Sequence, residues 1–381
     1  MTSTWANYWL NHRGGLPHIQ EKLNRHEPIT VAFIGGSITE GAGASDLTTT
    51  SWRALTEHYL KQRYTADKVM CINAGVGGTT STFGAHRLQA HVLSHGEIDL
   101  LFVEFSVNDG EDRDESIRGM EGIVRQCRRQ SPHTDICFIY TAADKNLTVH
   151  MPFNIAVHEE VASYYGIPSV NFAARVFTQI QLKQVTWDAL ASDRVHPNDE
   201  GHALYAAFVR EYLDVALDVR AVEETDRAGV NRQDALPLPP PLEPNNYEHA
   251  AMLEVDMADR MESFEWRELS SEPLMNWRYD TRHLYTDTRD ASLSFTVHGQ
   301  RAGVLLLCGP DSGIFEYGID GGPFLPMSLF DDWCLKAYRP IMAMFPMRSE
   351  RQSRRITIRH TGKKDERSTG TSLRILKLFS N

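Results

Sequence analysis

Two segments far apart in the chain carry residue types that could perform nucleophilic catalysis. Ser37 follows the apolar run 30–34, and His196 lies three residues after Asp193 in a loop before a predicted helix. A serine hydroxyl attacks when a base accepts its proton, and an imidazole is that base when a carboxylate holds its other nitrogen. We predict Ser37 as nucleophile, His196 as base and Asp193 as its orienting acid. Taken singly, the serine could instead cap a helix and the Asp-x-x-His segment could be a structural turn.

Two further loops could supply donors for an oxyanion. Gly78 belongs to a glycine-rich segment after the second apolar run, and Asn108 follows the third. Attack on an ester creates a tetrahedral oxyanion that needs preorganised donors. We expect these donors to be the N–H groups of Ser37 and Gly78 and the side-chain amide of Asn108. The neighbouring Asp109 either contacts substrate or caps the following turn, and we favour the cap.

Short apolar runs alternate with stretches of helical period in this part of the chain, as in a parallel α/β sheet. The predicted strands are residues 30–34, 69–73, 100–105, 136–140 and 169–171. The predicted helices are residues 51–62, 84–94, 116–129, 154–165 and 202–217. The carboxyl ends of parallel strands meet at one edge of the sheet, which would bring the four loops together.

The order Ser37, Gly78, Asn108, Asp193-x-x-His196 resembles the SGNH (GDSL-like) hydrolases. The resemblance implies a flavodoxin-like three-layer α/β/α domain with a Ser-His-Asp triad and a three-donor oxyanion hole. The first block reads G-G-S-I instead of G-D-S-L, and the third reads S-V-N-D instead of G-x-N-D. Both departures could alter loop geometry. The alternative α/β-hydrolase elbow, G-x-S-x-G, would need glycine where Thr39 stands.

A proline-rich segment at residues 236–244 marks a domain boundary, because proline favours an extended spacer. We predict an N-terminal extension (1–28), an SGNH domain (29–220), a linker (221–245) and a second domain (246–381). Short strand-prone runs at 292–298, 303–308, 313–319, 355–360 and 372–378 predict an antiparallel, jelly-roll-like β-sandwich in the second domain.

The second domain also suggests a substrate class. Asp331, Trp333 and Tyr338 form a cluster that suits a sugar, with a ring for the C–H face and polar groups for the hydroxyls. The aromatic pair could equally fill the sandwich core. In domain order, size and the G-G-S-I-T block, the chain resembles the family 17 mannan acetylesterases.

That resemblance implies removal of O-acetyl groups from acetylated manno-oligosaccharides. The alternatives are an acetylxylan esterase, another GDSL-type esterase or lipase, or an inactive SGNH protein that only binds sugar.

Composition disfavours several other functions. A net charge of −11 disfavours a nucleic-acid partner. The five cysteines include no C-x-x-C pair and are expected to be free, buried thiols. His86, His91 and His95 lack a carboxylate at ligand spacing, so we expect exposed helix histidines, no metal and no cofactor.

Location and assembly are only weakly constrained. We expect no membrane contact, since no apolar run approaches spanning length. Residues 1–10 lack the pattern of a secretory signal, which favours a cytoplasmic location. The oligomeric state is open, a homodimer being one alternative.

Overall fold

The structure, a computed structural model, describes residues 8–218, 238–269 and 272–381. The chain divides into two compact units, Met1–Glu248 and His249–Asn381. The division falls three residues after the end of the predicted linker, of which residues 221–237 lie outside the described residues. Residues 1–7 of the predicted N-terminal extension also lie outside them.

The first unit contains a six-stranded sheet. Its strands are β1 (Leu10–Asn11), β2 (Ile29–Gly35), β3 (Val69–Gly75), β4 (Leu100–Glu104), β5 (Asp135–Tyr140) and β6 (Ser169–Asn171). Their order is β1-β6-β5-β4-β2-β3. The five predicted strands are all present and parallel, in the flavodoxin-like order. The sequence did not predict β1, which pairs antiparallel with β6 at the edge.

Helices connect the strands of this sheet. They are α1 (Pro17–Asn24), α2 (Ser37–Glu40), α3 (Trp52–Arg63), α4 (Ser81–His91), α5 (Arg113–Gln130), α6 (Phe153–Tyr164), α7 (Phe172–Gln181), α8 (Trp187–Leu190) and α9 (Asp199–Ala216). Every residue of β4 and β5 is buried, as expected for central parallel strands covered on both faces. The predicted helices correspond to α3, α4, α5, α6 and α9. Ser51 and Asp112 start α3 and α5 with side-chain caps.

The described part of the proline-rich segment binds to the first unit. Arg125 on α5 donates to the carbonyl oxygen of Pro239 at 2.8 Å. Glu121, one turn earlier, accepts from the backbone N–H of Leu242 at 2.6 Å. Tyr247 is fully buried. Although the sequence suggested an extended spacer, this stretch is held along α5, because a buried carboxylate satisfies its backbone donors.

The second unit is an antiparallel β-sandwich, as predicted. Its strands are β7 (Ala251–Glu254), β8 (Arg260–Glu262), β9 (Glu265–Arg267), β10 (His283–Thr286), β11 (Ser292–Gly299), β12 (Ala302–Cys308), β13 (Gly313–Ile319), β14 (Leu325–Met327), β15 (Arg339–Met344), β16 (Gln352–Lys364) and β17 (Leu373–Ser380). One sheet has the order β15-β12-β17-β10-β9, with β7 also pairing with β17, and the other has the order β14-β13-β16-β11-β8. One apolar cluster includes Phe295 from one sheet and Leu306 from the other, so the core lies between the sheets.

Candidate active site

Ser37 is the first residue of α2 and directly follows β2 and Gly36. Its carbonyl oxygen accepts hydrogen bonds from the backbone N–H groups of Gly41 at 3.0 Å and Ala42 at 2.9 Å. The residue is half-buried. A tight turn therefore presents a serine at the carboxyl edge of the parallel sheet, where open α/β folds bind ligands.

The structure brings Ser37, His196 and Asp193 into one chain of hydrogen bonds. Ser37 Oγ lies 2.9 Å from His196 Nε2, and His196 Nδ1 lies 2.8 Å from Asp193 Oδ2. The other carboxylate oxygen of Asp193 accepts from the backbone N–H groups of Val195 and His196, both at 2.6 Å. Slight burial would raise the pKa of Asp193, but the hydrogen bonds from His196 and the backbone outweigh it and lower that pKa.

The loop that carries both partners is a closed turn between α8 and α9. Ser192 N–H donates to the carbonyl oxygen of His196 at 3.0 Å, and Ala191 pairs with Pro197 in an isolated bridge. Asn198 then caps α9 through a bond from Gly201 N–H to its side-chain oxygen at 3.1 Å. The three-residue spacing therefore places the carboxylate against the ring of the histidine within one closed loop.

The first turn of α9 fastens this loop to the segment that follows the serine. Asp199 accepts from Ser45 N–H at 2.8 Å and from the Thr50 hydroxyl at 2.7 Å. His202 accepts from Trp52 N–H with Nδ1 and bonds the Ala42 carbonyl oxygen with Nε2, each at 3.2 Å. Burial lowers the pKa of His202 to about 4, which keeps the ring neutral. Neither Asp199 nor His202 was predicted from the sequence, and only their position after His196 could have drawn attention to them.

Asn108 lies against the glycine that precedes the serine. A Cβ atom placed on Gly36 would be 2.4 Å from Asn108 Oδ1 and 3.4 Å from Asn108 Nδ2. Asn108 lies in the turn that follows β4, and its backbone N–H donates to the Phe105 carbonyl oxygen at 3.0 Å. The amide predicted as an oxyanion donor is thus adjacent to the Ser37 block. The same contact gives a physical reason for G-G-S-I: a larger residue at position 36 would collide with this amide.

The glycine-rich loop is attached to the same short helix. Gly77 N–H donates to Glu40 Oε2 at 2.8 Å, and Glu40 is the last residue of α2. Gly78 has φ +68°, a left-handed conformation that glycine adopts without strain. Gly78 therefore follows directly after the residue that ties its loop to the helix of Ser37.

Asp109 does not reach the solvent-facing part of the site. It is buried, and it accepts from the N–H and the hydroxyl of Ser81 at 2.8 and 2.7 Å, which caps the start of α4. It also accepts from Ser116 at 2.8 Å and lies 2.9 Å from His158 Nε2. Burial would raise the pKa of Asp109, but the bond with His158 and those from Ser81 keep it lowered. Asp109 therefore caps the start of α4, which precedes it in the chain, and not the following turn that the sequence favoured.

This buried cluster repeats the residue types of the candidate triad in a different arrangement. Ser116 Oγ lies 3.0 Å from His158 Nε2, the nitrogen that also faces Asp109. A triad needs the acid on one ring nitrogen and the serine on the other. Only the Ser37, His196 and Asp193 set has that arrangement among these two clusters.

The three residues predicted to contact sugar lie in the loop between β14 and β15 of the second unit. Trp333 is 51% exposed, and the Lys336 ammonium lies 4.5 Å from its ring centre. The Tyr338 hydroxyl donates to Asp311 at 3.1 Å, and Asp331 forms an ion pair with Arg339. An exposed Trp333 does not fill the sandwich core, so that alternative is wrong for this residue. A sugar contact stays a prediction.

The histidines considered for metal binding are packed differently from our expectation. His86 and His91 are buried and not exposed, and His86 Nδ1 bonds the Thr82 carbonyl oxygen at 2.7 Å. Burial follows because α4 packs against α5 and against Tyr247. Across residues 8–218, 238–269 and 272–381, no group of three or more metal-ligating side chains is found.

In the same ranges, none of the helices has the length and apolar character needed to cross a membrane.

The five cysteines are free thiols, as predicted. Cys71 is half-buried and the other four are buried. The expectation of five buried thiols therefore holds for four of them.

The family of the first unit follows from its sequence. Residues 33–204 match the GDSL-like Lipase/Acylhydrolase family, and all five residues predicted for catalysis fall inside this range. The first unit is therefore a GDSL-like hydrolase domain. No curated protein matches the sequence.

Solved structures extend the likeness to the whole chain. A crystal structure of a two-domain esterase, CEX, active on acetylated mannans, is 22% identical and covers 98% of each chain with a TM-score of 0.82. A second, of CEX co-crystallised with mannopentaose, is 21% identical and covers 98% of this chain and 97% of the other, with a TM-score of 0.80. At this identity the likeness shows a shared two-domain fold.

Proposed function

We propose that this chain is a serine carbohydrate esterase that removes O-acetyl groups from hemicellulose oligosaccharides through an acetyl-enzyme on Ser37. The observation that carries the proposal is the hydrogen-bonded chain Ser37–His196–Asp193 at the carboxyl edge of a GDSL-like sheet. The hydroxyl faces one ring nitrogen and the carboxylate faces the other. This is the arrangement that activates a serine for acyl transfer.

The first half-reaction acetylates the enzyme. His196 Nε2 takes the hydroxyl proton as Ser37 Oγ attacks the acetyl carbonyl carbon, and Asp193 holds Nδ1–H and stabilises the imidazolium. The developing oxyanion is held by the N–H groups of Ser37 and Gly78 and by the Asn108 amide. His196 then donates its proton to the sugar oxygen, the ester C–O bond breaks, and the deacetylated sugar leaves.

The second half-reaction restores the serine. A water molecule attacks the acetyl carbonyl carbon while His196 takes one of its protons, and the same three donors hold the oxyanion. The bond to Ser37 Oγ breaks, His196 returns its proton to Ser37, and acetic acid leaves with the second proton of the water and ionises in solution. Every step uses acid–base groups of the chain, so the reaction balances without a cofactor.

The substrate class is proposed as acetylated manno-oligosaccharides. The support is the fold shared with CEX, a two-domain esterase active on acetylated mannans, over 98% of both chains. Asp331, Trp333 and Tyr338 are proposed as sugar contacts, because an exposed indole beside polar groups can stack on the apolar face of a pyranose.

Acetate release tests both parts of the proposal. Acetylated manno- and xylo-oligosaccharides are incubated with the wild type and with Ser37→Ala, and the products are identified by mass spectrometry. We expect release from mannan oligosaccharides that Ser37→Ala abolishes. Release from xylan oligosaccharides alone would keep the mechanism and discard the mannan assignment. No release from either, or activity without Ser37, would refute the mechanism, and sugar binding without hydrolysis would identify a binding protein.

A cytoplasmic location, the lack of a nucleic-acid partner and the oligomeric state are predictions that need experiments of their own. Cell fractionation followed by immunoblotting locates the protein. Size-exclusion chromatography with light scattering distinguishes a monomer from a homodimer.

A further inference from the structure

A buried carboxyl group lies directly beneath the turn that carries Ser37, and the mechanism above does not use it. Glu104 is the last residue of β4, the strand that lies between β2 and β5. Its side chain is 1% exposed. A buried carboxyl group is costly unless it is well hydrogen-bonded, so its partners indicate why it is there.

The partners of Glu104 follow the ends of β2 and β5, the two strands beside β4. The Thr39 hydroxyl donates to Oε2 at 3.0 Å, and the Thr141 hydroxyl donates to Oε1 at 2.8 Å. The backbone N–H of Gly36 also faces this carboxyl group and lowers its pKa. Gly36 and Thr39 therefore lie on either side of Ser37 in the chain, while Thr141 belongs to the neighbouring strand end.

We propose that Glu104 is a positioning residue that fixes the orientation of Ser37 by holding the residues on either side of it. The Thr39 hydroxyl binds this carboxyl group and the Gly36 N–H faces it, so the backbone between them has little freedom to turn. Ser37 Oγ must face His196, and the Ser37 N–H must face the oxyanion. The bond from Thr141 anchors the same carboxyl group to β5. This inference rests on the proposed serine-esterase function.

The electrostatics agree with a group held for its hydrogen bonds. Burial raises the pKa of Glu104, because the charged form loses its hydration, and the bonds from Thr141, Thr39 and Gly36 oppose that rise. Removing one partner of such a cluster leaves the others unsatisfied in a buried site. Each donor can therefore be tested by itself.

The two threonines make a matched pair for this test. Thr39→Val and Thr141→Val each remove one hydroxyl donor to the same carboxyl group, but only Thr39 lies beside the serine. With 4-nitrophenyl acetate we expect Thr39→Val and Glu104→Gln to lower kcat by about 10- to 100-fold with little change in KM, as a small displacement of reacting groups does. Thr141→Val should keep nearly full kcat even if its melting temperature falls as much as that of Thr39→Val. Thr39→Ser should restore activity.

A second readout follows the nucleophile directly. The rate at which an organofluorophosphate modifies Ser37, measured by intact mass, should fall in Thr39→Val and not in Thr141→Val. The proposal is overturned if both valine variants lose activity in proportion to their stability, or if a folded Glu104→Gln keeps wild-type kcat. If Glu104→Gln does not fold, the threonine pair decides. An inactive wild type would instead refute the proposed function.

Discussion

Gly36→Ala should damage catalysis while leaving the fold intact. The backbone of Gly36 has φ −84°, which alanine adopts without strain. The added Cβ would lie 2.4 Å from Asn108 Oδ1. The colliding atom is the end of a half-buried side chain, so the amide can move aside. The clash is relieved at the expense of the donor that we assign to the oxyanion.

The expected loss follows from the size of that movement. An oxygen at 2.4 Å must retreat by about 1 Å to reach ordinary contact, and a displacement of about 1 Å in an active site can cost about 100-fold in rate. This corresponds to about 2.7 kcal/mol of transition-state stabilisation. The measurement is kcat for 4-nitrophenyl acetate, with thermal unfolding to check the fold. Gly110→Ala is the matched control, since a Cβ there meets nothing within 4 Å.

A double-mutant cycle tests whether the effect passes through Asn108. Asn108→Ala should lose about 10²- to 10³-fold in kcat by itself. Gly36→Ala added to it should then cause little further loss, because the displaced amide is already absent. Losses that multiply, or a Gly36→Ala variant with wild-type kcat, would refute the reasoning. A large fall in melting temperature would also do so, because it would mean that the backbone moved instead.

Three further outcomes are expected. Asp193→Ala should keep more kcat than His196→Ala, because the Asp193 side chain is 54% exposed and water can bond Nδ1 in its place; equal losses would contradict this. For His202, burial lowers the pKa to about 4, whereas histidine in the unfolded chain titrates near 6.5. Below about pH 6.5 the unfolded state therefore binds a proton at His202 that the folded state does not bind. The contribution of neutral His202 to the free energy of unfolding is complete above about pH 6.5 and is lost as the pH falls towards 4, by about 2 kcal/mol at pH 5. Urea unfolding at pH 7.5 and 5.0 should show the advantage of wild type over His202→Gln shrinking by that amount, and a constant difference would count against it. Tyr247→Ala should lower the free energy of unfolding by about 3 to 5 kcal/mol without changing kcat at 25 °C, whereas Tyr247→Phe should lose only about 1 kcal/mol for its bond to Glu115.

The departures of the first motif are consistent with the site geometry. Gly36 leaves room for Asn108, so the aspartate of the usual block would be excluded here by the same contact. Thr39, the residue that breaks the alternative G-x-S-x-G pattern, donates to Glu104 beneath the serine. Both positions thus have physical reasons that operate through residues distant in sequence.

Most of the central sheet could be predicted because its parallel strands are apolar runs that alternate with stretches of helical period and end at loop residues. The predicted strand at residues 169–171 coincides with β6, and the others differ from the structure by one or two residues at either end. By contrast, α7 was missed because it follows β6 without a loop, although it is amphipathic, and β1 was missed because two residues are too few to show a period. In the second unit, strands of three or four residues such as β8 and β14 were missed for the same reason.

The sequence by itself determined the α/β plan, the β-sandwich and the identity of Ser37, Asp193 and His196 as candidates. These depend on local patterns: apolar periodicity, turn residues and the short spacing that closes Asp193 onto His196. Tertiary structure alone decided that Glu104 lies beneath the serine and that His202 bonds the segment after it. Those contacts join residues 65 and 160 positions apart, and the chemistry of a buried glutamate or histidine depends on what surrounds it, which no local pattern records.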